Sequence, residues 1–131
     1  MAQIQHIALT AIDNEGLASF YVNTFGMREV FRHADPRPDR PNAVAVYLTD
    51  GHINLAVLPN GGGRPEGINH FGFIVDDIEE ARQLGVANGA KPGSNDLPRD
   101  GRYAEGYLVD PVGQKVDLTD KGWDIGEGRP E

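Results

Sequence analysis

Two histidines, His6 and His70, stand at the same place in two copies of one pattern. The first copy reads HIALTAID and the second HFGFIVDD. Each opens on its histidine, alternates for the length of a strand, and reaches an aspartate seven residues on, Asp13 or Asp77. Imidazoles placed equivalently in two repeated units can converge on one point between them. Neutral imidazole is a good ligand for divalent transition metals, so such a point could hold a metal ion. Asp117 would complete the set. It lies on a short strand between Val116 and Leu118, where an isolated buried charge is costly and a cation offsets the cost. Two imidazoles and one carboxylate leave coordination positions open for substrate oxygens or water. The set suits Fe(II) or Mn(II), and zinc or nickel could occupy it. The competing readings are hydrogen-bonded or surface histidines and a salt bridge from Asp117 to Lys115 or an arginine.

Strand alternation sorts the side chains around this point. In the first strand Ile7 and Leu9 face the core, so His6, Ala8 and Thr10 face the other way. In the fifth, Phe71, Phe73 and Val75 face the core, and His70, Gly72 and Ile74 the other way. Ala8 and Gly72 are small, which leaves room for a ligand above the imidazoles. In the last strand Lys115 and Asp117 share the histidine face. In the fourth, His52, Asn54 and Ala56 do so, and Asn54 is expected to bind substrate. By its apolar neighbours Ala56 is the counterpart of Asp117, so the repeat offers three ligands and leaves the fourth place empty. Tyr103, Glu105 and Tyr107 share one face of the seventh strand. If that face joins the site, Glu105 is the candidate general base or a further ligand, and the two tyrosines would bind substrate oxygens. His52 could shuttle protons, but its place beside a turn reads as exposed, and His33 beside a polar loop gives no functional signal. Gly61 to Gly63 form a linker, since a phosphate loop needs a lysine and a strand-to-helix setting.

The elements that must position these residues repeat in order. Gln3 to Ala11 reads as a strand. Asp13 caps a helix whose apolar stripe is Leu17, Phe20, Tyr21 and Phe25, and Gly26 stops it. Strands follow near Arg28 to His33, Asn42 to Thr49 and His52 to Leu58, with a tight turn at Asp50-Gly51. PNGGGRPEG, residues 59–67, is a linker. The pattern then restarts. Gly67 to Val75 is a strand, and Asp76 or Asp77 caps a helix with Glu79 or Glu80 three residues on. Ile78, Ala81 and Leu84 form its stripe, and Gly89 ends it. Strands are expected at Arg102 to Val109 and Gln114 to Leu118, joined by a turn at Asp110-Pro111-Val112-Gly113. Trp123 is expected to dock its ring rather than hang on a loose tail. The chain is thus a βαβββ unit written twice, an α+β domain. Module one spans about residues 1–58, module two about 68–120, and a tail 121–131.

The 131 residues suit one domain. A net charge of −8 disfavours nucleic acid or an anionic membrane as partner. The absence of cysteine excludes disulfides and thiolate chemistry and fits a reducing cytoplasm. No apolar run reaches the ~18 residues of a membrane span, and no signal peptide is expected.

The chain resembles the vicinal oxygen chelate superfamily, which contains glyoxalase I, methylmalonyl-CoA epimerase, extradiol dioxygenases and the bleomycin-resistance binding proteins. HIALTAIDNEGLASFYVNTFGM, INHFGFIVDDIEEA and VDPVGQKVDL carry the resemblance. It implies the glyoxalase/bleomycin resistance/dihydroxybiphenyl dioxygenase fold. There two βαβββ modules form a curved mixed sheet, a cup with the metal at its floor, and the protein is a homodimer. His6 and His70 fall where family members open their ligand set. Asp117 falls where they usually carry glutamate, and Ala56 where glyoxalase-like and epimerase-like members carry another ligand. The resemblance thus implies a metal-dependent enzyme that chelates vicinal oxygens of a small substrate. Dioxygenase-like chemistry is favoured slightly over glyoxalase- or isomerase-like chemistry, because the three-ligand set is open. The alternative is a non-catalytic drug- or metabolite-binding protein of the bleomycin-resistance type.

Overall fold

The computed structural model describes residues 2–36, 38–93 and 106–127. Its strands are β1 (Gln3–Ala11), β2 (Arg28–Ala34), β3 (Val44–Thr49), β4 (Asn54–Pro59), β5 (Gly67–Ile74), β6 (Lys91–Pro92), β7 (Gly106–Val109) and β8 (Lys115–Thr119). Its helices are α1 (Asn14–Phe25) and α2 (Ile78–Ala87). The strands form one mixed sheet in the order β2-β3-β4-β1-β5-β8-β7-β6. Each module supplies one half, and the halves join where β1 pairs antiparallel with β5. Within each half the first and last strands run parallel, β1 beside β4 and β5 beside β8. The two modules therefore pair within a single chain. Among the described residues, no helix is long and apolar enough to cross a membrane.

Local chemistry explains the element boundaries. Asp13 accepts a hydrogen bond from the Gly16 amide at 3.0 Å, capping α1. Gly26 ends that helix at φ 73°, in the left-handed region where a Cβ is costly. Asp77, rather than Asp76, caps α2 by accepting from the Glu80 amide at 3.0 Å. The fourth strand starts at Asn54, two residues later than its alternation suggests. The reason is Asp50, whose Oδ1 accepts from the amides of His52 and Ile53 at 2.8 and 3.0 Å and keeps both in the turn. Only Gly106–Val109 of the expected Arg102–Val109 strand lies within the described residues.

One face of the sheet packs on the helices. Leu9, Val46, Leu48, Leu55 and Val57 meet Ala18 and Met27 in the first half. Val75, Ile78 and Leu118 are the buried centre of the second. The expected helix stripes need correction. Phe20 and Phe25 are 52% and 68% exposed, and Leu84 is 58% exposed. The rotation of α1 is set instead by buried Asn14. Its side-chain amide donates to the carbonyls of Val44 at 2.6 Å and Val57 at 3.1 Å. Those two bonds turn the Asn14–Ala18 face toward the sheet, and Leu17, Tyr21 and Val22 pack at its edges.

Candidate metal centre

The opposite face of the sheet carries the chemistry. Register places Asn54 beside His6, His6 beside Gly72, Gly72 beside Asp117, and Asp117 beside Tyr107. One row across five strands thus presents these side chains to the same side. His70 lies one row along, beside Ala8, which in turn faces Ala56. The pairing of Gly72 with Asp117 in one half mirrors that of Ala8 with Ala56 in the other. Ala56 is therefore the positional counterpart of Asp117, as the apolar spacing suggests.

His6, His70 and Asp117 converge. One potential ligand atom from each lies within 4.8 Å of the others, and all three residues are buried. The His6 and His70 rings have centroids 5.5 Å apart. His70 Nε2 approaches Asp117 Oδ2 at 3.1 Å. Each imidazole is held from behind by an amide oxygen, His6 Nδ1 by Asn54 Oδ1 at 3.0 Å and His70 Nδ1 by Asn69 Oδ1 at 2.8 Å. A ring that donates Nδ1–H to an oxygen can present the Nε2 lone pair to a metal, and for His70 that lone pair is free only when an ion replaces the proton that bonds Nε2 to Asp117 Oδ2.

Electrostatics agree with that role. Burial, followed by the neighbouring His70, lowers the His6 pKa to about 4. His6 is thus a neutral donor at neutral pH. For Asp117, burial pushes the carboxyl upward. The hydrogen bond from His70 and the charges of His70, Lys115 and His6 together outweigh it and hold the group below its ordinary value. Buried Asp117 Oδ1 has no hydrogen-bond partner, and the Lys115 ammonium stands 3.6 Å away. A buried carboxylate with one oxygen on His70 and the other without a hydrogen bond, answered only by the Lys115 ammonium at 3.6 Å, can take further positive charge. A divalent cation bound by nitrogen and oxygen fits the donor set.

The other predicted site residues fall into three groups. Asn54 is on the site face, but both ends of its amide are engaged. Its oxygen meets His6, and its nitrogen donates to the Asp124 carbonyl at 2.8 Å. Tyr107 is on the site face, with Lys115 Nζ 5.0 Å from its ring centre. Glu105 and Tyr103 lie outside the described residues.

Three contributions escape a strand-by-strand reading. Trp123 stacks on His6 with ring centres 4.6 Å apart and planes 9° apart, and is 4% exposed. It fills the space that Gly72 leaves. A Cβ on Gly72 would stand 2.5 Å from the indole Cη2. The room over Gly72 therefore belongs to the tail, which corrects the expectation that it holds a ligand. Asn69 is the second contribution, and an amide beside a candidate ligand was its only signal in the sequence. The third is a group of rings on the same face. His33 Nε2 and Tyr47 Oη are 3.2 Å apart, and Phe31 packs 5.7 Å from His33 and 5.9 Å from Tyr47.

The fold belongs to a known class. The chain matches the model of the Glyoxalase/Bleomycin resistance protein/Dioxygenase superfamily over residues 3–105 and belongs to that family. It is 27% identical over 123 residues to a probable chloroplastic lactoylglutathione lyase of Arabidopsis thaliana. That match covers 89% of this chain but only 35% of the relative, so the chain spans about a third of the plant protein's length. Among solved structures, a methylmalonyl-CoA epimerase variant of Streptomyces coelicolor, in complex with 2-nitronate-propionyl-CoA, superposes with TM-score 0.62. It is 20% identical, over 88% of this chain and 94% of its own. The Mn(II)-bound glyoxalase of Novosphingobium aromaticivorans gives TM-score 0.62 at 20% identity, over 94% of this chain and 40% of its own. A 4-hydroxymandelate synthase variant of Streptomyces coelicolor gives 0.67 at 14% identity, over 98% and 39%. At such identities the structures share the fold with this chain.

Proposed function

We propose that this chain is a metal-dependent enzyme that chelates two neighbouring oxygens of a small substrate on a divalent ion held by His6, His70 and Asp117. The observation that carries the reading is the convergence of these three buried groups, with each imidazole backed by an amide and one oxygen of the carboxylate free of hydrogen bonds. Fe(II) or Mn(II) suits two nitrogens and one oxygen, with zinc and nickel as alternatives. Such an ion would supply Lewis-acid charge to the substrate's oxygens.

The chain's own residues do the remainder. Asn54 and Asn69 fix the tautomer and plane of the two imidazoles. Trp123 keeps water from the outer face of His6. Lys115 tempers the charge of Asp117 and, partly exposed, is available to an anionic oxygen. Tyr107 remains the proposed substrate hydrogen-bonding group. Asn54, proposed from the sequence for the same task, is better assigned to supporting His6. Glu105 is the proposed base and Tyr103 a proposed substrate contact, both from their alternation with Tyr107.

Ala56 in place of a further donor favours the open, dioxygenase-like set over glyoxalase- or isomerase-like chemistry. Turnover of a catechol panel with and without oxygen tests this preference, and oxygen-independent turnover removes it. The second reading, a small-molecule binding protein, draws support from the Phe31, His33 and Tyr47 rings on the same face. It predicts that ligand affinity survives removal of the ion, where the enzyme reading predicts its loss. A homodimer is part of the proposal. Phe20, Tyr21 and Phe25 lie ring to ring on α1, and the two phenylalanines are exposed apolar surface for it to cover. A monomer mass in light scattering at high concentration rules the dimer out.

A further inference from the structure

We propose that the C-terminal segment, residues 119–127, is part of the metal centre, with Trp123 as a positioning residue for His6, so that tail docking and ion binding strengthen each other. The inference rests on the metal reading above and deepens it.

Four contacts carry it. The Trp123 indole lies on the His6 imidazole, 4.6 Å between centres and 9° from parallel. A hydrogen bond at Nδ1 alone leaves a ring free to rock about that bond, and a flat ring stacked on it removes the freedom. Asn54 then joins the two partners, since its oxygen meets His6 Nδ1 at 3.0 Å and its nitrogen donates to the carbonyl of Asp124, next to Trp123, at 2.8 Å. Gln5, adjacent to His6, accepts from the Trp123 backbone amide at 2.8 Å. The indole finally needs Gly72, which register places between His6 and Asp117.

The segment is folded to make these contacts. Thr119 Oγ1 accepts from the amides of Lys121 and Gly122 at 3.1 and 3.3 Å. Gly122 takes φ 90°, which turns the chain back over the sheet. Asp124 Oδ1 accepts from the Gly126 amide at 2.9 Å and closes the next turn. Trp123 and Asp124 end up 4% and 8% exposed. The tail therefore reads the orientation of His6 through a ring, an amide and a backbone bond at once. An ion on the far nitrogen of His6 selects the same orientation. Two events that each fix one shared group lower the ordering cost of the other, and the coupling is reciprocal.

Trp123 is the only tryptophan in the chain, so its fluorescence reports the tail directly. Zinc is the probe, because it has no unpaired electrons to quench the indole. Chelator-treated protein is titrated with zinc by calorimetry, and acrylamide quenching of Trp123 is measured with and without the ion. The expected results are lower acrylamide access in the zinc-bound protein and a zinc affinity about 10-fold or more weaker in Trp123→Ala. Trp123→Phe, which keeps a ring to stack, recovers most of that affinity. Gln5→Ala removes only the backbone tether and guards against a folding failure of Trp123→Ala. It is expected to raise acrylamide access and weaken zinc binding by a smaller factor. Wild type that binds zinc, with variants of equal affinity and quenching that ignores the ion, overturns this inference alone. Wild type that binds no ion overturns the metal reading and this inference with it.

Discussion

Removing the metal should leave a protein whose stability falls between neutral pH and about pH 5, with His6 as the cause. Burial holds the His6 pKa at about 4 in the fold against an ordinary value of 6.5. Within that window the denatured chain binds a proton that the native protein does not. The stabilising contribution is therefore full above the unfolded value and is lost as pH falls toward the folded one. At 1.36 kcal/mol per unit, the whole effect is roughly 3 kcal/mol, of which about 2 kcal/mol disappears between pH 7 and about pH 5. Asp117 acts in the same direction at lower pH. Its carboxyl is held below its ordinary value, so its contribution is present above the unfolded pKa and lost as pH falls through the folded one. The assay is urea unfolding in chelator at several pH values, wild type against His6→Gln, with the slope checked for constancy. The variant has no proton to take up at that position, so its profile should be flatter by about 2 kcal/mol over the window. Parallel profiles for the two proteins would refute the reasoning, since the pH dependence would then arise elsewhere.

Asn54→Ala should weaken Mn(II) binding about 10- to 100-fold with an unchanged far-ultraviolet spectrum, because it removes the amide oxygen that holds His6 Nδ1 and cuts the tie to Asp124. Calorimetric titration measures it, and wild-type affinity in the variant counts against the supporting role. Asn14→Ala should destabilise the fold by about 1–3 kcal/mol, since the carbonyls of Val44 and Val57 each lose a hydrogen-bond donor. Urea unfolding tests that figure, and a loss below about 0.5 kcal/mol would place the helix orientation under other control.

Much of the candidate site was legible in the sequence because strand alternation is a rigid rule. Once Ile7 and Leu9 are assigned to the helix side, His6 and Ala8 must face away, and the same holds for His70 beside Phe71 and for Asp117 beside Val116 and Leu118. Helix caps were legible for a similar reason, since Asp13, Asp77 and Gly26 act on backbone atoms within a few residues. What escaped depends on distant partners. The stripe through Phe20 and Phe25 misjudged the rotation of α1, because Asn14 bonds to strand carbonyls that only the folded sheet brings near. The tail had a suggestive tryptophan but no periodicity to say where it would land. Gly72 looked like space for a ligand, and its fit to an indole more than fifty residues away could not be read from spacing. Asn54 and Ala56 show the same division. Their face and row follow from alternation, whereas the use of the Asn54 amide as a bridge between His6 and Asp124 follows from the folded tail.

The most direct measurement is calorimetric titration of chelator-treated protein with Mn(II) and, under anaerobic conditions, Fe(II), comparing wild type with His6→Ala, His70→Ala and Asp117→Ala. A centre built from these three side chains predicts one tightly bound ion per wild-type chain and loss of that binding in every folded variant. An ion that the variants bind as well as wild type, or a wild-type chain that binds none, contradicts it.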